Sequence, residues 1–375
     1  MRHLVIFMII AAILLVNIIG PLPVSADSPV LIEGRVTLVK EAESFSSASG
    51  DIRIQYVTIE ITQGPDQGRL VEVTNALTGH PFYDIPVKAG DRVVLQLEQV
   101  DGAENYYITD YARQRPLAFI ACLFVITLAV IGGLKGIKAL VSLVVMGAAV
   151  LYVILPLILR GFNPLFITVG LSSLLTLLFM VFVSGWSRKT AVAVLGSVGG
   201  LVISGLLAFF VGRASFLSGL ASDEAQILQF TTANIDFQGL LFSGMIIGAL
   251  GAILDVGVGI ASSMEQIREA DPTADLHTFI RRGLAVGQDM LVTMSNTLIF
   301  AYVGSSLPLL LLFLSHDTPF RSIINLEMVA SEIVRAMVGS IGLATAIPLT
   351  VLLAGLLFPQ KGAKKAQPDQ AELTD

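Results

Sequence analysis

The sequence predicts an α-helical, multi-pass membrane protein of about seven transmembrane helices, preceded by a small β-barrel domain of the OB type. Two observations carry the helical part. Of 375 residues, 54% are hydrophobic and only 14% are charged, with a mean hydropathy of +0.79, far from the composition of ordinary soluble domains. In addition, residues 117–133, 139–159, 164–184, 190–212, 239–260, 290–314 and 338–358 are apolar runs, each near the ~20 residues that cross a hydrocarbon core. The β part rests on a change of pattern. Between residues 27 and 112 the chain alternates apolar and polar residues, as in RVTLVK (35–40), IRIQYVTIEIT (52–62), RLVEV (69–73) and RVVLQLE (92–98), the period of half-buried strands.

Residues 1–26 read as a secretory signal. Arg2 precedes an apolar run from Leu4 to Ile19, Gly20-Pro21 breaks it, and Val24-Ser25-Ala26 supplies a small-residue cleavage site. An uncleaved anchor is the alternative, and both place the following domain outside the cytoplasm. Turn signals at Ser49-Gly50-Asp51, at residues 63–68 and at Ala89-Gly90-Asp91 separate about five strands, enough for a small barrel. Residues 113–360 form the membrane domain and 361–375 a cytoplasmic tail.

Topology follows from the basic residues. If the β domain is outside, the inner connections hold Lys135, Lys138, Arg188, Lys189, Arg268, Arg281, Arg282, Lys361, Lys364 and Lys365, whereas the outer ones hold only Arg160, Arg213 and Arg321. The positive-inside rule therefore agrees with the signal: N-terminal domain extracytoplasmic, C-terminus cytoplasmic, in the plasma membrane. Residues 276–285 carry apolar positions at helical spacing with His277, Arg281 and Arg282 between them, which suits a segment lying along the cytoplasmic interface. Residues 324–339 likewise form an amphipathic lead-in to the last span, with Glu332 and Arg335 spaced to pair.

Several function classes are disfavoured. One cysteine, Cys122, offers neither a disulfide framework nor a thiolate zinc site, and a net charge of −6 argues against a nucleic-acid partner. No P-loop, HExxH or GxSxG pattern is present, and none of His3, His80, His277 and His316 falls mid-span. The chain is read as neither an enzyme nor a cofactor carrier. Its expected partners are the lipid bilayer, an envelope or membrane protein, and a second copy of itself.

Two polar stripes remain. Gly244, Gly248, Ala252, Asp255 and Gly259 are spaced by three or four residues along one helix face. That face is suited to close helix packing and turns Asp255 toward the bundle, about 7–8 Å from the cytoplasmic end of its span. In the next span Asp289, Thr293, Asn296 and Thr297 share one face. Two carboxylates at similar depth, with neutral oxygens beside them, suit a shared proton or a bound cation. The alternatives stay open: Asp289 as a helix cap, Asp255 as an interhelical hydrogen-bond lock, and Asn296 as helix glue.

The stretches GAILDVGVGIASSMEQI (251–267) and GQDMLVTMSNTLIFAYVG (287–304), behind an outer β domain, resemble the YibE/F family of bacterial multispanning membrane proteins. The resemblance runs from about Gly34 to Phe358 and implies architecture rather than an activity. More loosely, a glycine-rich helix with an acid, a charged turn at Arg268-Glu269, an amphipathic segment and an Asn-Thr helix is similar to proton-driven export accessory proteins and resistance-nodulation-division transporters. There, acids in the middle helices carry coupling protons. The expectation is a transporter or export-assisting protein with a proton or cation site, the alternative a non-transporting scaffold or regulator whose β domain binds an envelope partner.

Overall fold

The computed structural model describes residues 30–41, 45–47, 50–63, 66–80, 83–100, 103–232, 234–316 and 319–358. The expected signal and the cytoplasmic tail lie outside them. The chain forms two compact units that divide after Gly136.

The first unit is an antiparallel sheet of β1 (Val30–Glu41), β2 (Phe45–Ser47), β3 (Gly50–Ile61), β4 (Leu70–Leu77), β5 (Arg92–Val100) and β6 (Ala103–Tyr111). Its main order is β4-β3-β1-β5-β6, with the short β2 on the start of β3. Alternation puts Ile32, Val36, Val57, Ile59, Val71, Val73, Val93 and Leu95 on one buried face. The ladder is irregular between Val36 and Leu38 and between Val94 and Leu95, and irregularities of this kind bend strands and sharpen their twist. The sheet consequently curls into a half-barrel. The expected OB-like barrel is corrected on this point: no ladder joins the edge strands β4 and β6 among the described residues. Side chains link the two edges instead, where Arg69 pairs with Glu104 at 2.9 Å.

Polar side chains complete the unit where the backbone leaves the ladder. Buried Gln55 on β3 accepts from Val87 N at 3.1 Å and donates to Val87 O at 3.3 Å, and Asn75 donates to Ile85 O at 2.8 Å. Two amide side chains thus act as a strand edge for residues 85–87. Asp84 accepts from Thr78 N, Thr78 Oγ1 and Gly79 N at 2.9, 3.0 and 2.6 Å. Those donors hold its carboxyl below the usual range.

A long helical run follows, α1 (Gln114–Ala149), a π-helical turn (Val150–Ile154) and α2 (Leu155–Leu159). Pro156 lacks the amide that would continue α-helical bonding, which accounts for the wider turn just before it. Gly133 has φ 53 and ψ −136, outside helical values and open only to glycine. A Cβ on Gly136 would lie 2.0 Å from the Leu128 carbonyl oxygen, whereas a straight helix would hold these positions about 12 Å apart. The chain therefore doubles back at Gly133.

The second unit contains α3 (Pro164–Ser184), α4 (Arg188–Ala214), α5 (Asp223–Thr231), α6 (Phe237–Ala270), α7 (Leu276–Ser305), α8 (Leu307–Ser315), α9 (Phe320–Ile324) and α10 (Glu327–Leu357). Among the described residues, five helical runs are long and apolar enough to cross a membrane, with Gln114–Leu159 counted once, or six when α7 and α8, bent by 59°, are taken together. The expected first two segments, 117–133 and 139–159, share that first run but are separated by the break at Gly133.

Capping fixes where these helices start. Asn163, Ser187, Asp236 and Asp275 each accept from a backbone amide in the first turn of α3, α4, α6 and α7. At one end of the bundle Asn163 meets Asp236 at 3.4 Å, and Glu327 accepts from Ser218 N and Gly219 N at 2.6 and 2.9 Å. At the other, Lys189 pairs with Glu265 at 3.0 Å and Arg282 with Asp271 at 2.9 Å.

The core is α4 packed between α6 and α10, and small residues set its spacing. A Cβ on Gly200 would lie 2.8 Å from both Ala346 Cβ and the Gly342 carbonyl oxygen. A Cβ on Gly257 would lie 2.0 Å from Ser197 Oγ. Backbones this close exchange dispersion contacts along their whole length, the term that holds helices together where lipid removes the hydrophobic drive.

Candidate functional site

Asp255 stands near the middle of α6, roughly 22 Å from the Ala270 end at 1.5 Å per residue. The sequence places the end of the span at Ile260, and the helix continues past it through Ser262, Ser263 and Glu265 to Ala270. Asp255 is exposed on the surface of its helix, where it borders a cavity of about 370 Å³. Leu143 and Met146 from α1, Leu175 and Phe179 from α3, and Leu250 and Leu254 from α6 form most of the wall.

Two hydroxyls join the carboxylate there, and both belong to residues the sequence reading passed over. Ser142 donates to Lys138 O at 2.9 Å, which leaves its oxygen lone pairs available. Ser172 is 1% exposed, and its Oγ has no hydrogen-bond partner among the described residues. It belongs to a row on α3, Thr168, Ser172 and Thr176, all buried and all without a partner. The signal was present as a hydroxyl residue at every fourth position. It is hard to pick out because Ser and Thr in apolar helices ordinarily bond back to their own backbone, as Ser173 does to Val169 O at 2.7 Å.

The glycine stripe is divided among neighbours. A Cβ on Gly248 would lie 3.0 Å from Tyr302 Oη and one on Gly259 would lie 2.5 Å from Met290 Cε, so both face α7. Gly244 has Arg335 Nη1 at 4.0 Å from the same position, and Ala252 is half-buried. The stripe therefore meets side-chain tips, while close backbone approach occurs at Gly200 and Gly342.

Asp289 also lies mid-helix, roughly 20 Å beyond the α6–α7 turn, a depth close to that of Asp255. A capping role for it is excluded, because α7 begins at Leu276 and Asp275 is its cap. The stretch read as an interfacial segment is the first part of this same helix. Asp289, Thr293, Asn296 and Thr297 are all exposed, opposite a packed face of Phe279, Gly283, Gly287 and Leu298. Thr293 and Thr297 bond back to Met290 O and Thr293 O at 3.0 and 2.9 Å. No ion pair or hydrogen bond joins Asp289 to Asp255 among the described residues. Nor does any group of three or more His, Cys, Asp or Glu there suit a metal ion.

Three further polar groups cluster toward the far end of the bundle. Arg335 pairs with Glu332 at 3.4 Å, as their spacing predicts, and the nearby Tyr302 Oη is buried without a partner among the described residues. At the α6–α7 turn Arg268 lies 3.9 Å over the Phe279 ring and donates to Ala274 O at 2.9 Å. The β unit has a separate polar cavity of about 520 Å³, with Arg53, Glu41, Lys88 and Asp91 in its wall.

No curated protein and no solved structure matches the chain. Family models do. A model described as YibE/F-like protein matches residues 120–360, and the model of the YibE/F family N-terminal domain matches residues 33–111. Taken with a multi-helix apolar unit behind a curled β unit, these matches place the chain in the YibE/F family.

Proposed function

We propose that this protein is a plasma-membrane transporter or export-assisting protein in which Asp255 takes up the coupling proton or cation. The observation that carries the reading is a carboxylate at mid-helix, bordering a mostly apolar cavity between three apolar helices. A charge placed in hydrocarbon costs about 2.5–3.5 kcal/mol on insertion scales, so an acid at that depth calls for a proton, a cation or water. Ser142 and Ser172 supply neutral oxygens on the same cavity. The stripe of Asp289, Thr293, Asn296 and Thr297 also needs a polar neighbour, and a second copy or an aqueous path fits it better than lipid. The β unit faces the outside in this reading, as the charge distribution expects.

Ion flux into proteoliposomes containing the purified protein tests the proposal. Asp255→Asn should abolish flux driven by an imposed proton or sodium gradient, and Asp255→Glu should restore part of it. Flux equal to wild type in Asp255→Asn would reject the site.

The second reading, a scaffold or regulator, has the β-unit cavity in its favour. Its charged wall suits a polar segment of an envelope partner. In that case charge reversal at Arg53 and Lys88 removes function, whereas Asp255→Asn is tolerated.

A further inference from the structure

The shape and lining of the Asp255 cavity bear on what kind of cation it takes. Its volume of about 370 Å³ falls in the range of ~300–1,000 Å³ typical of sites for small organic molecules. A bare inorganic ion is instead held by several oxygens gathered at short range. Here eleven of the fourteen lining residues are apolar or glycine, two are serines and one is the aspartate. Phe179 adds an aromatic ring, a surface that attracts quaternary and other ammonium groups. A neutral apolar ligand would leave the carboxylate uncompensated, and an anion would be repelled by it.

Ser172 is the independent sign of a ligand. The residue is 1% exposed and lines the cavity, and its hydroxyl has no partner among the described residues. A buried hydroxyl left unpaired is destabilising, and a donor in the cavity relieves it.

We propose that this cavity binds an amphipathic monovalent organic cation, with its ammonium head at Asp255 and Ser172 and its apolar body against Leu143, Met146, Leu250 and Leu254. The proposal rests on Asp255 being a cation site and adds the class of cation. Two glycines on the wall provide a way to fill the space without touching the charge, since a Cβ on Gly147 or on Gly251 would meet nothing within 4 Å.

The test is equilibrium binding of radiolabelled phenethylammonium, which carries N–H donors for both the Asp255 carboxylate and the Ser172 hydroxyl, to the purified full-length protein in detergent. Wild type should bind saturably, and excess sodium should not displace the label. Asp255→Asn should weaken binding at least tenfold. Gly251→Leu and Gly147→Leu should do the same with the carboxylate still present, and unchanged monodisperse elution would show that the fold is kept. Absence of binding in wild type, or wild-type binding in Asp255→Asn or in both leucine variants, overturns the proposal. Failure here and failure of the transport reading are distinguishable. Gradient-driven flux that needs Asp255 without any binding of the organic cation leaves a small-ion site. Binding that needs Asp255, with no flux under any gradient, removes transport and leaves the organic-cation site.

Discussion

The crossing of α4 and α10 gives the sharpest prediction of stability. In Gly200→Ala the new methyl group would stand 2.8 Å from Ala346 Cβ, 2.8 Å from the Gly342 carbonyl oxygen and 3.3 Å from Ile253 Cγ2. The first two neighbours are a Cβ and a backbone atom, so no rotamer change relieves the overlap and the helices must part by several tenths of an ångström. Overpacking of this kind costs about 1–3 kcal/mol. The dispersion lost along the separated α4–α10 contact adds to that. Alanine returns up to about 1 kcal/mol of helix propensity, for a net loss of roughly 1–2 kcal/mol. Gly251→Ala is the matched control, because its methyl group meets nothing within 4 Å and only the propensity gain of up to ~1 kcal/mol remains. Thermal unfolding of the purified protein in one detergent measures both. For a unit of this size ~1 kcal/mol corresponds to about 2–4 °C, so Gly200→Ala should melt several degrees below wild type and Gly251→Ala at or above it. Equal midpoints for the two variants would refute the close-approach account of the core.

Three other outcomes are expected. At Gly133, with φ 53 and ψ −136, substitution by Ala should cost about 1–3 kcal/mol of backbone strain, seen as a lower unfolding midpoint; no change would mean that the reversal there is absent. In the β unit, Asp84 has a folded-state pKa below its ordinary 3.8. Its bonds to Thr78 and Gly79 therefore stabilise fully above that value and are lost as pH falls through the still lower folded pKa. Amide exchange at Gly79, corrected for intrinsic rate, should rise only in that acid range, and Asp84→Asn should remove the step. Glu327→Gln should speed amide exchange at Ser218 and Gly219, since a charged acceptor is replaced by a weaker neutral one; unchanged exchange would show that the contact does not hold that loop.

Much of the architecture was legible in residue order because it depends on local properties. Apolar runs long enough to span hydrocarbon and Pro164 at the start of α3 act within a turn or two of themselves. Strands β1, β3, β4 and β5 were readable for the same reason, since alternation records one buried face. Boundaries were less legible where charge and helix coexist. Residues 276–285 have helical spacing but read as a segment separate from the next span, whereas they form one helix with it, because an intrahelical backbone bond forms whether or not the side chain is polar.

By itself the sequence determined the family, the apolar segments, four strands of the curled sheet and the presence of Asp255 and Asp289 on helical stripes. Only the tertiary structure decided which neighbours those stripes meet. Spacing along a helix fixes which residues share a face, but the direction of that face depends on how every other helix packs. Hence the glycine stripe divides between α7 and Arg335, the Asp289 stripe turns outward, and Asp255 borders a cavity with Ser142 and Ser172 from helices far away in sequence. The sheet's open edge has the same origin. Strand count and alternation are local, whereas closure depends on whether bulges bring β4 and β6 to bonding distance, and here a side-chain ion pair between Arg69 and Glu104 takes the place of the last ladder.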